Sequence, residues 1–156
     1  MFSPKDGKQY ASVAVSVITP MSRGNISISS ADTADHPLIN PQWLTHPTDK
    51  AVLVAAYRRA RELFKTKALD PIRVGEEFFP GKELNVETDE EIINFAGKSW
   101  NTVSHASSTC SMGKVDDPNA VVDSKGKVIG VNGVRVVDAS AFPFLPPGHP
   151  MATICK

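Results

Sequence analysis

Small or polar residues alternate with apolar ones from Ala11 to Thr19, the period of two that marks a half-buried strand. Pro20 ends that run and Ser22–Gly24 reads as a turn. Residues 25–30 alternate again, so 11–19 and 25–30 are expected to form a hairpin or neighbouring strands. The stretch 32–47 holds three prolines and no clean period. It reads as an irregular connection with Trp43 and Leu44 as anchors. Thr48 and Asp49 are N-cap candidates for a helix running to about Lys67. Leu53, Ala56, Tyr57, Ala60, Leu63 and Phe64 recur at helical spacing and should face a core, with Arg58, Arg59, Arg61 and Glu62 off that stripe.

Residues 69–84 carry little regularity and read as a loop. Thr88 followed by Glu91 is a capping box ahead of Ile92, Ile93, Phe95 and Ala96, which predicts a short helix from Asp89 to about Lys98. The chain then changes character. Residues 102–105 are strand-like, 116–120 form a turn cluster, and 120–123 and 127–131 flank a second turn at 124–126. Asn132–Gly133 is a hairpin signal, and 134–138 is the strongest strand candidate. These patterns together predict an α+β chain. Residues 1–100 would be one portion and 101–156 a second.

Composition narrows the function classes. Lys+Arg and Asp+Glu balance at 17 each, so net charge gives no reason to expect nucleic acid or a membrane surface. The longest apolar run, 51–57, is too short to cross a bilayer. The amino terminus shows no apolar signal-peptide stretch, and localisation stays open. Cys110 and Cys155 are expected to be buried free thiols rather than a bridge. His36, His46, His105 and His149 lack metal-site spacing, so no resident metal is expected; His36 and His46 read as surface residues in loops.

Two of these histidines carry the candidate chemistry. His105 and His149 lie in loops on either side of the 128–140 segment, whose hairpin could bring them together. Imidazole suits proton transfer near neutral pH. Asp138 and Ser140 with either histidine supply the residue types of a hydrolase triad, but no GlyXaaSerXaaGly elbow sharpens the serine. Alcohol oxidation is the third reading. It needs an acceptor for the hydroxyl proton and a second group to hold the hydroxyl, and small neighbours (Ala106, Ser107, Ser108, Gly148) would let a bulky ring approach.

Several motifs, in order, give the pair a context. Pro20–Ser30 is similar to ProXaaSerArgGlyXaaValXaaLeuXaaSer, and 37–44 with Pro47 and Asp49 follows in register. His105–Gly113 is similar to HisXaaXaaGlyThrCysXaaMetGly. Gly133–Ser140 matches GlyXaaArgValXaaAspAlaSer, and the GlyHisProMetAlaThrIle end agrees as well. Together they resemble the carboxy-terminal region of the glucose–methanol–choline (GMC) oxidoreductases, FAD-dependent alcohol oxidases and dehydrogenases. The wording of 144–150 and 75–81 is similar to fungal members of secondary metabolism, among them aryl-alcohol-type oxidases and a flavin-binding cyclase. The resemblance covers nearly the whole chain.

What the resemblance implies is specific. The first portion would be an antiparallel sheet of the substrate domain with a long helix, and the second a carboxy-terminal piece of the FAD-binding domain. The reaction would be oxidation of a small-molecule alcohol, with His105 as general base, His149 as its partner, and hydride passing to flavin. Ser104, His105, Asp138, Ala139, Pro150 and Met151 would contact FAD. Ser108 departs from the family, which usually has Gly there. The amino-terminal glycine-rich pyrophosphate-binding unit does not occur in this sequence. A partner carrying that FAD-binding half is therefore expected, and the chain alone is expected to be colourless. Alternatives are a truncated, non-catalytic fragment and a flavin-binding cyclase or lyase without net redox. Family members are often secreted, which leaves the compartment unassigned.

Overall fold

Helix α1 (Pro47–Phe64) begins one turn ahead of the expected start in the computed structural model, which describes residues 5–155. His46 is the N-cap, in place of Thr48 or Asp49: its Nδ1 accepts the Thr48 amide at 3.1 Å. Pro47 takes the first helical position, where a missing N–H costs nothing. The helix stops at Phe64, short of Lys67, where the Lys65 amide donates to the carbonyls of Glu62 and Leu63. Asp49 has another task. Only 2% exposed, it accepts the amides of Met21 (2.7 Å) and Ser22 (2.8 Å) and the Ser22 hydroxyl. That hydroxyl in turn accepts the His46 amide at 3.0 Å.

Helix α2 (Asp89–Ser99) starts on the expected capping box. The Glu91 amide donates to the Thr88 hydroxyl at 3.2 Å, and the Thr88 amide donates to the Glu91 carboxylate at 2.8 Å. Val54, Val86 and Ile92 form a buried cluster, with Tyr57, Ile93 and Phe95 packed on it. The helical stripe is thus rotated from the expected one. Val54 lies inside it and Leu63 is exposed. Arg61, expected to point away, packs 4.8 Å above the Tyr57 ring. It pairs with Glu77 (2.6 Å) and Glu87 (3.3 Å), and its guanidinium donates to the Val86 carbonyl. A long cationic side chain can bury its stem in an apolar face while its head stays paired, which periodicity alone does not register. The expected loop 69–84 is irregular apart from one 3-10 turn, Lys82–Leu84.

The expected strand 11–19 does not form; the segment joins no ladder, although Val15 and Val17 are half-buried. Strand β1 (Asn25–Ser27) instead pairs antiparallel with β2 (Leu38–Asn40), inside the stretch expected to be irregular. Ile26 stands opposite Ile39. Alternation reports which face a residue takes, not which segment will lie beside it. At Gly24 the backbone passes so close to β2 that a Cβ would sit 2.1 Å from the Asn40 carbonyl oxygen. The α+β description survives only in reduced form, as a two-stranded antiparallel pair with helices.

From Trp100 the chain forms a second compact unit. Among its described residues no ladder exceeds isolated bridges: Met112 with Val122, Val122 with Val128, Lys127 with Arg135. The strands expected at 102–105 and 134–138 are therefore absent, apart from the bridge at Arg135. Val137 is 87% exposed and gains nothing from strand burial. The Asn132–Gly133 turn does close, with the Val128 amide donating to the Val134 carbonyl at 3.1 Å. Alternate amides of Ser108, Cys110 and Met112 donate to the carbonyls of Ala139 (3.1 Å), Ser140 (2.8 Å) and Ala141 (3.0 Å). A 3-10 turn, Ala139–Ala141, and helix α3 (Met151–Ile154) complete the unit. Neither cysteine is buried as expected: both are free thiols, Cys110 half-buried and Cys155 exposed. Trp43, Phe78, Phe79 and Phe144 are exposed, whereas Phe142 is half-buried. No helix among the described residues is long and apolar enough to cross a membrane.

Candidate active site

The loops of His105 and His149 meet, although 44 residues separate them. Nδ1 of His149 lies 3.0 Å from Nε2 of His105, with ring centroids 4.9 Å apart and planes at 84°. At that distance one nitrogen donates a proton and the other accepts it, so the two rings form a complementary pair of tautomers. The remaining ring nitrogens have no partner among the described residues. His105 is half-buried and His149 exposed.

Backbone geometry sets this approach. Ser104, immediately before His105, has φ 60°, and Gly148, immediately before His149, has φ 82°. The 108–112 amides hold the first loop against the 139–141 carbonyls. Pro150 is buried, and its carbonyl accepts the Thr153 (3.0 Å) and Ile154 (2.9 Å) amides, which fixes the start of α3 just after His149. Ser108 adopts φ 66°, a left-handed conformation that favours glycine.

The other expected site residues are distributed as follows. Ser104 is exposed and its amide donates to the Thr102 hydroxyl at 3.0 Å. The Asp138 carboxylate accepts the Ser140 hydroxyl and, at 2.8 Å, the Ser140 amide. Those two bonds hold its carboxyl below the ordinary aspartate value. Asp138 therefore caps a turn, and neither histidine joins it or Ser140 in a recorded hydrogen bond, so the arrangement is no hydrolase triad. The carbonyls of Asp138 and Ala139 are taken, by Ala141 and by Ser108 and Phe142 respectively, while their amides donate to no acceptor among the described residues. The amides of Met151 and Ala152 are likewise free there. Ala152 was not anticipated; its signal is the helix start after Pro150, which leaves the first amides unpaired. The Met151 side chain is 70% exposed. No group of three or more metal-ligating side chains exists among the described residues.

Residues 20–155 match the family model for the GMC oxidoreductases. The chain belongs to the GMC oxidoreductase family. It is 59% identical over 152 residues to the patulin synthase of Aspergillus clavatus, covering 97% of this chain and 24% of that relative. The GMC chain thus spans about a quarter of that relative's length. Among solved structures, an FAD-dependent oxidoreductase from Chaetomium thermophilum aligns with a TM-score of 0.76 at 35% identity, over 88% of this chain and 23% of that one. A fungal aryl-alcohol oxidase aligns with a TM-score of 0.72 at 28% identity, over 88% and 22%. GMC oxidoreductases are FAD-dependent. The second unit offers donors that fit a flavin: free amides at Asp138, Ala139, Met151 and Ala152, beside exposed apolar surface at Met151 and Phe144. Open space in front of the Gly148 Cα is consistent with a ring passing there.

Proposed function

We propose that this chain supplies the proton-handling part of an FAD-dependent alcohol-oxidising site, with His105 as general base and His149 as its partner. The observation that carries this reading is the 3.0 Å approach of His149 Nδ1 to His105 Nε2. An acceptor nitrogen facing a donor N–H is also what an alcohol requires. The substrate hydroxyl would donate to Nε2 of His105 while its oxygen accepts from Nδ1–H of His149. The hydroxyl thereby replaces a bond the two rings make with each other. Exposed His149 is the ring free to swing aside.

As the hydroxyl proton moves to His105 Nε2, the imidazolium that forms is stabilised by the neighbouring alkoxide, and His149 keeps that oxygen oriented. FAD, when bound, would accept the hydride. The amides of Asp138, Ala139, Met151 and Ala152 would hold it, with Ser104 and Pro150 beside it. A small alcohol of secondary metabolism is the proposed substrate class, supported by the 59% identity with patulin synthase.

The test is a chimera in which this chain replaces the matching quarter of the Aspergillus clavatus relative. His105→Ala should lower kcat by about 10²–10⁴-fold with the flavin absorbance retained. Near-normal turnover in a yellow His105→Ala chimera would refute the base assignment.

A further inference from the structure

The same two nitrogens can do something other than share a proton. We infer that His105 and His149 form an open, two-imidazole chelate for a divalent transition-metal ion of tetragonal geometry, copper(II) by preference. The inference rests on ligand geometry and does not depend on the proposed catalytic roles.

Nδ1 of His149 and Nε2 of His105 face one another at 3.0 Å. With metal–imidazole bonds of about 2.0–2.1 Å, two nitrogens that far apart subtend an angle of roughly 95° at a shared ion. That is close to the cis angle of about 90° in square-planar and octahedral complexes, and well short of the tetrahedral angle of about 109° preferred by zinc. Among first-row divalent ions that accept such geometry, copper binds nitrogen ligands most strongly. Chelation needs a lone pair on both nitrogens, so the proton now between them must leave or move to another ring position. The far nitrogen of each ring has no partner among the described residues, so either ring can carry its hydrogen there without breaking a bond. Exposed His149 gives the ion a path from solvent, and water completes its coordination.

An ion so held would occupy the two lone pairs that the proposed reaction uses, making the pair a point of copper inhibition. That consequence, unlike the binding, rests on the proposed function. Binding is therefore the property to measure, by titrating copper(II) into the full 156-residue chain carrying Cys155→Ser, which removes the exposed thiol. Electron paramagnetic resonance should show one site with two nitrogen ligands. His105→Asn and His149→Asn should each weaken it by at least about 10–100-fold, the cost of losing even an outer-shell partner, and leave a single nitrogen. His36→Asn and His46→Asn should retain it; Asn is itself an efficient N-cap, so α1 keeps its start. A two-nitrogen signal that survives His149→Asn, or that disappears with His36→Asn or His46→Asn, would overturn the assignment. His149 is exposed, so its loss does not put the fold at risk.

Discussion

In the unit ending at Ser99, Val54, Val86 and Ile92 are buried together, Tyr57, Ile93 and Phe95 pack on them, and Arg61 ties residues 77–87 to the same helix. In the unit from Trp100, the buried apolar side chains are Val122 and Ala141, and order comes largely from amides of 108–112 donating to carbonyls of 139–141. The first unit specifies its structure through side chains at helical spacing. The second does so through the main chain, with positive-φ residues at 104, 108 and 148 bending the loops. The histidine pair belongs to the second kind. A loop held by its backbone keeps its side chains free for chemistry, which is why functional groups collect on such segments.

Three substitutions would break or sharpen that contrast. The largest effect is expected at Ile92, 1% exposed in the cluster of the first unit. Ile92→Ala should cost about 2–5 kcal/mol, the range for a large-to-small change in a core, seen as a lowered denaturant midpoint and faster amide exchange in α1 and α2. A loss below 1 kcal/mol would mean that the cluster is not what holds those helices.

Asp49 comes next, as the place where the first unit also relies on backbone amides. Burial raises its pKa, but the amides of Met21 and Ser22 and the Ser22 hydroxyl outweigh burial and hold it below the ordinary value of 3.8. Asp49→Ala should cost about 1.5–3 kcal/mol, the value of hydrogen bonds to a charged group. Because the folded pKa is the lower one, this stabilisation is complete above the unfolded value and disappears as pH falls through the folded one. Stability measured between pH 6 and pH 2 should therefore fall more steeply in the parent chain than in Asp49→Ala. Equal slopes would remove Asp49 from the account.

The smallest effect is expected in the second unit. Ser108→Gly relieves the cost of a left-handed serine but adds freedom to the unfolded chain, for a net gain of about 1 kcal/mol or less. A raised Tm is the readout; a lowered one would show that the Ser108 side chain contributes more than its backbone strain removes.

What could be read in advance divides along the same line. The Thr88–Glu91 box was legible because both partners lie within one turn. Helix α1 was legible from its period, but its start was not: an imidazole cap at His46 resembles a surface histidine, and Asp49 reaches partners 27 and 28 residues away. The 11–19 alternation led to a strand that does not exist, because a strand needs a partner and β1 found Leu38–Asn40 among prolines. The meeting of His105 and His149 was anticipated from the turn between them. Their ring geometry was not, since it follows from loop dihedrals that serine at 104 and 108 does not announce. Their roles remain proposals.

Gly24 marks one further boundary. Most side chains from Lys5 to Thr45 face solvent, so drift in that stretch meets little steric resistance. At position 24 the first carbon of any side chain would collide with the Asn40 carbonyl and the Pro41 backbone, at 2.1 and 2.6 Å. Lineages that keep the β1–β2 pairing can exchange nearly every neighbour of this residue, yet each must inherit glycine here. A single missing carbon is thus the feature of the hairpin that selection can least afford to alter.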